Sequence, residues 1–249
     1  MSNMNNVFHK AQIKDNAVVS DTVILTDSAV VMGFGRVSGR AVISEYAVVK
    51  DKAAVSDFSR IMNEAVVSDE AIVRDRAVVR NNARVLQQGL ICGCGIVEGN
   101  AMVLGLAVIQ DDAMVTNDAR VTDNAVIRGQ ATVGGRVLVK GHANISGIAN
   151  LTGNMIIGGY ANICSNKDYC SITVNGYAFT AYVDVQHGIG VSLFDFVGSL
   201  EDAKKFIEDK RISNTVPEAD KILDMVYNRI KFNIECEEQG KEINNEKPQ

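Results

Sequence analysis

"AVVSDEAIVRDRAVVRNN", residues 65–82, states one short pattern three times: a small residue, two mostly apolar residues, then a polar turn. Cutting the chain every six residues from Asn5 gives 27 such hexads, ending at Asn166, without an insertion or a slip of frame. The third position of every hexad, from Val7, Ile13 and Val19 through to Ile157 and Ile163, is Val, Ile or Leu. So uniform a column must point into a core. Counted from Ala11, the first position is Ala in 19 of 26 hexads and Gly or Ser in four more, so space there is tight. The fifth position is Gly, Asp or Asn in 23 of the same 26. These residues tolerate left-handed backbone angles or bond their own backbone in turns, so each hexad ends in a corner.

A short β-branched strand followed by a corner every six residues argues for a parallel β-solenoid, because an α-helical repeat would show a period of 3.6 or of 33 to 47. Three hexads make one triangular coil of 18 residues, and 27 hexads make about nine coils. Stacking at about 4.8 Å per coil predicts a prism roughly 40 Å long. The period leaves the handedness open.

The array resembles the hexapeptide-repeat superfamily. That resemblance covers about two thirds of the chain, and it implies a left-handed parallel β-helix and usually a homotrimer. Beyond the array, "GYAFTAYVDVQHGIGVSLFDFVGSLEDAKKF", residues 176–206, is similar to the segment that follows the repeats in the YdcK-like Ala/Val-rich hexapeptide proteins of phages and prophages. A phage or prophage context is what this second resemblance implies.

The frame fails after Asn166, and six of the chain's fourteen aromatic residues lie between Tyr169 and Phe196. The organisation expected is a β-helix over 1–166, a small α/β capping or oligomerisation domain over 167–236, and a disordered tail over 237–249. CSITVNG, AFTAYVDVQ and GVSLFDFVG read as strands. SLEDAKKFIEDKRI and PEADKILDMVYNRIKF read as amphipathic helices, the first capped by Ser199 and the second with Pro217 in its first turn. A cap is needed because the final coil of a solenoid has an unpaired edge.

The net charge of −5 disfavours general binding to nucleic acid, and no apolar run approaches the length of a membrane span, so a cytoplasmic protein is expected. Five cysteines at irregular spacing do not form a disulfide framework. Cys92 and Cys94 lack a second pair at metal-site spacing, so no metal is expected.

Second-position side chains face outward, and many are apolar. Val30, Val48, Val66, Met102, Leu138 and Ile156 fall on one face and are the candidate oligomer interface, with stripes of Ile24, Val42, Val78, Ile96 and Met114 and of Val18, Ile72, Leu90, Val108 and Val126 on the other two, since apolar stripes of this length mark contacts between subunits. Arg36, Arg60, Arg84 and Arg120 interrupt the stripes, and Arg74, Arg80 and Arg128 occupy fourth positions. These are the candidates for binding a small anionic ligand in clefts between subunits. Enzymes of the superfamily are typically acyltransferases that use acyl-CoA with a His base in such a cleft, commonly beside an inserted loop. No loop interrupts this array, and His142 is its one candidate base, since His9 lies in the first coil and His187 in a turn outside the array.

The leading expectation is therefore a non-catalytic trimeric binding or scaffold protein without a cofactor, a phage or prophage accessory or anti-defence factor that engages a host protein or small ligand. The alternative is an acyltransferase using acyl-CoA, with His142 as general base. End-to-end polymerisation through open coil edges is a third reading.

Overall fold

A computed structural model describes the chain over residues 10–245. The chain forms a parallel β-solenoid with the expected period: strands pair with strands 18 residues away, as in Val30↔Val48 and Val48↔Val66. Three parallel sheets result. Sheet 1 runs in nine strands from Gln12–Ile13 to Ile156–Ile157, sheet 2 in nine from Val18–Val19 to Asn162–Ile163, and sheet 3 in eight from Ile24–Leu25 to Asn150–Leu151. The first hexad, with His9, extends outside the described residues.

Each rung is only two residues long, so long-strand pairing cannot hold the register. Instead, the hydrogen bonds continue around the corners. N–H groups at second, fourth and sixth positions donate to the carbonyls of first, third and fifth positions in the following coil: Gln12 to Ala29, Lys14 to Val31 and Asn16 to Gly33, each at 2.9 Å. Inside, every third-position side chain from Leu25 to Ile163 is buried, and so are the first-position alanines from Ala29 to Ala161. A column of Val, Ile and Leu stacked at about 4.8 Å fills the prism axis, and the burial of these side chains is where an aliphatic ladder gains its stability.

The corners carry more than a turn. From Asp27 to Gly159 every fifth-position residue has a positive φ, including Glu45 at 61° and Gln87 at 58°, which lack the usual preference for that region. The acidic corners bond the next coil as well as turning their own. Asp15 Oδ2 accepts from Gly33 N at 3.0 Å, Asp75 Oδ2 from Gly93 N at 2.9 Å, and Asp123 Oδ2 from Gly141 N at 2.9 Å.

Beyond the last rung a four-stranded antiparallel sheet forms from β1 (Tyr169–Val174), β2 (Tyr177–Asp184), β3 (Gly188–Leu193) and β4 (Phe196–Gly198), followed by α1 (Leu200–Asp209) and α2 (Ala219–Asn245). Ser199 caps α1, its Oγ accepting from Asp202 N as the sequence implied. Three expectations need correction. GVSLFDFVG is two strands, because Phe194 takes a positive φ and turns the chain back. Pro217 precedes α2, since Glu218 behind it also has a positive φ and helical geometry starts only at Ala219. Of the expected disordered tail, residues 237–245 are helical, because Glu, Gln and Lys are good helix formers and extend the preceding turns, and residues 246–249 lie outside the described residues.

Alternation along β2 and β3 gives this sheet two different faces. Phe179, Ala181, Val191 and Leu193 pack with Ala203, Leu223, Val226 and Ile230 of the helices. The opposite face meets the solenoid. There Tyr182 is fully buried in the solenoid's own core cluster, closing the prism, and Ala161 pairs with Asp184 in an antiparallel bridge. Gly190 makes room for the ring, since a Cβ at this position would lie 2.7 Å from Tyr182 Cε2. Tyr182→Ala is expected to cost about 3–5 kcal/mol of stability by leaving a void at the end of the core. Urea unfolding followed by circular dichroism checks this, and a loss below about 1 kcal/mol would contradict the plug.

Candidate functional site

The six interface candidates lie together on the outer surface of sheet 1, where the register aligns Val30, Val48 and Val66, then Met102, then Leu138 and Ile156. Each is half-buried in the single chain, shielded by the strands above and below. Three further apolar residues escaped the second-position reading: Met32, Leu86 and Leu104, half-buried at fourth positions of the same sheet. The same column of sheet 1 also carries Lys14, Lys50, Ser68, Thr122 and Lys140, whereas that of sheet 2 carries Ser20, Ser38, Ser56, Arg74, Cys92, Gln110 and Arg128 and no Leu or Met.

The seven arginines do not converge on one site. Arg36 projects from sheet 2 between Val18 and Ala54, and Arg60 from sheet 3 between Val42 and Val78. Arg74 and Arg128 occupy fourth positions of sheet 2. Arg74 lies 3.7 Å from Asp75, and Arg80, on sheet 3, donates from Nε to Glu98 at 2.7 Å. Arg84 and Arg120 do come together. They flank Met102 on sheet 1 in direct register and line one cleft of about 500 Å³ along the corner built by Glu64, Asn82, Asn100 and Asp118. That corner is a ladder of amides: Asn82 Nδ2 donates to Asn100 Oδ1 at 3.1 Å, and Asn100 Nδ2 to Asp118 Oδ1 at 2.9 Å. The 36-residue spacing of the two arginines, two whole coils, was a signal available in the sequence.

A larger groove of about 630 Å³ follows the next corner, past Lys52, Glu70, Gln88 and Leu106. Its polar groups are already engaged with one another. Glu70 accepts from Lys52 and from Gln88, both at 3.2 Å, and these two bonds hold its carboxyl below the usual range.

His142 stands exposed at this corner, with its ring stacked on Tyr160 at a centroid distance of 5.0 Å. A second histidine, His187, has its Nδ1 3.1 Å from the buried Asp184. Asp184 also accepts from the backbone N–H groups of Tyr160, Gln186 and His187 at 2.9–3.0 Å. Its buried charge is thus accounted for by closing the last coil. Asp168 does the same at the neighbouring corner, accepting from Cys164 N and Ser165 N at 2.7 and 2.8 Å. Neither carboxylate was singled out in the sequence, because their roles depend on contacts made only after the repeat ends. The five cysteines are free, and among the described residues no group of three His, Cys, Asp or Glu could hold a metal ion. No helix among these residues is long and apolar enough to cross a membrane.

Comparisons with protein-family models, with curated proteins and with solved structures found no match to this chain. Asp184→Ala is expected to destabilise the protein by on the order of 3 kcal/mol, because three backbone donors lose a charged acceptor at once. Thermal or urea unfolding measures it, and a loss under about 1 kcal/mol would show that water replaces the carboxylate without penalty.

Proposed function

We propose that this protein is a non-catalytic binding or scaffold protein that works as a homotrimer, with the outer surface of sheet 1 turned toward the threefold axis. The observation carrying this reading is the apolar surface formed by Val30, Val48, Val66, Leu86, Met102, Leu104, Leu138 and Ile156 on one sheet. A closed ring of three copies would bury it in every subunit and stop growth there. The similarity of the repeats and of residues 176–206 to YdcK-like hexapeptide proteins supports a phage or prophage accessory role in the cytoplasm, including engagement of a host protein or small ligand.

The capped end favours a discrete assembly over a filament. Tyr182 plugs the core, and the N–H groups of Tyr160 and Cys164, which would receive a further coil, are held by Asp184 and Asp168. Head-to-tail stacking of coils is therefore blocked at this end.

Val66→Glu combined with Leu104→Glu is expected to convert a trimer into a folded monomer by size-exclusion chromatography with light scattering. A wild-type monomer, or a trimer indifferent to both charges, would sink the assignment of this surface. The acyltransferase reading, with acyl-CoA bound between subunits and His142 as base, has its own assay. The scaffold reading predicts no acetyl transfer from acetyl-CoA to a panel of amine and hydroxyl acceptors. Transfer that His142→Ala abolishes would replace it with the enzyme.

A further inference from the structure

Three features of the Arg84–Arg120 cleft, taken together, describe a binding site. First, its two guanidinium groups belong to strands in register on the same sheet, with the strand of Met102 between them. Their Cα atoms are therefore two strand spacings apart, about 9–10 Å. Second, neither is in an ion pair among the described residues, a feature shared with Arg36, Arg60 and Arg128 but not with Arg74 and Arg80. Two carboxylates, Glu64 and Asp118, line the same cleft without an ion pair to either arginine, and Asp118 accepts from the Asn100 amide. Third, Met102 stands between the two arginines in register and lines the cleft with them, setting one apolar, polarisable side chain between two cationic ones.

This is the chemistry of a ligand with an anion at each end and an apolar middle. Guanidinium forks match phosphate bidentately and stay charged at all working pH values. We infer that the Arg84–Met102–Arg120 cleft binds a small bis-phosphorylated molecule, one phosphate on each arginine and its apolar or planar body on Met102. The inference rests on the proposed reading in one respect. Subunits closing over sheet 1 would draw both arginines out of water, and because neither pairs with Glu64 or Asp118 of the same cleft, a bound anion at each guanidinium would offset the cost of burying it. The cleft is open in the single chain, so binding does not itself require the trimer.

The spacing can be measured with a molecular ruler. Alkane-α,ω-diol bisphosphates of increasing length, with butyl monophosphate as the single-anion control, are titrated into the full-length protein by isothermal titration calorimetry. The hexanediol bisphosphate is expected to bind at least about 10-fold more tightly than the monophosphate, because the second contact becomes intramolecular once the first is made. The propanediol bisphosphate is too short to bridge the pair and should fall toward the control. Arg84→Gln or Arg120→Gln should each reduce the hexanediol compound to the affinity of the monophosphate, while Arg36→Gln, on sheet 2, should leave it unchanged. Equal affinity for mono- and bisphosphates, or undiminished binding by the Arg84→Gln/Arg120→Gln protein, would overturn the inference. Light scattering on the same samples separates it from the assembly: a trimer blind to the bisphosphate refutes the cleft alone, and a monomer that binds it through both arginines refutes the trimer alone.

Discussion

A chain that must turn three times in 18 residues, and land each time directly above its previous coil, depends on the corner. Rungs of two residues contribute little register by themselves. The left-handed fifth position sets the turn, and the N–H and carbonyl groups on either side of it bond to the neighbouring coil instead of to water. Where that position is aspartate, its carboxylate takes the next coil's corner N–H as well, as Asp15, Asp75 and Asp123 do. The cost of holding a non-glycine residue at positive φ is thereby offset at the same place it arises. Both the unbroken aliphatic column and the narrow alanine corners follow from this geometry.

The same bonding pattern explains the C-terminal domain. A coil stack ends with donors facing an absent neighbour, and a buried edge of that kind is tolerated only if something accepts from it. Three side-chain acceptors meet these donors: the carboxylates of Asp184 and Asp168 from the cap on backbone N–H groups, and the amide oxygen of Asn166, the last residue of the array, on Asn150 N at 2.7 Å. In the other direction, the Tyr169 hydroxyl donates to Asn150 O at 2.7 Å, and Ser192 Oγ donates to Ile156 O. Thr180, Asp184 and Ser192 are buried polar residues on the solenoid-facing side of an otherwise aliphatic and aromatic sheet. Their placement is the negative image of a coil edge.

The repeat was legible because each of its positions meets one constant environment. The inward column, the tight first position and the sorting of Val30, Val48, Val66, Met102, Leu138 and Ile156 onto one face all follow from counting by six and by eighteen. Legibility stopped where the environment ceased to repeat. The burial of Asp184 and the plug formed by Tyr182 depend on how an antiparallel sheet lands on the last coil, and local pattern does not encode that landing. Pro217 misled because its fixed φ suits a helix start, whereas the left-handed Glu218 delays the helix to Ala219. The arginines were found as residue types but not as a site. Only the coil register separates Arg84 and Arg120, which share a cleft, from Arg36 and Arg60, which project from other sheets.

With the interior committed to aliphatic ladders and the corners to backbone bonding, the outward residues are what remains for the proposed contacts, and on sheet 1 they include Val30, Val48, Val66, Met102, Leu138 and Ile156. Its methionines allow a direct reading of that surface in solution. Met32 and Met102 lie on sheet 1, Met62 and Met114 on sheet 3, and all four are comparably half-buried in the single chain. Brief oxidation with hydrogen peroxide, followed by peptide mass spectrometry, compares their rates in the native protein, with the exposed Met225 as an internal standard. The account predicts that Met32 and Met102 are protected while Met62 and Met114 oxidise freely. Equal rates on the two sheets would mean that sheet 1 faces water and that its apolar stripe joins no subunits.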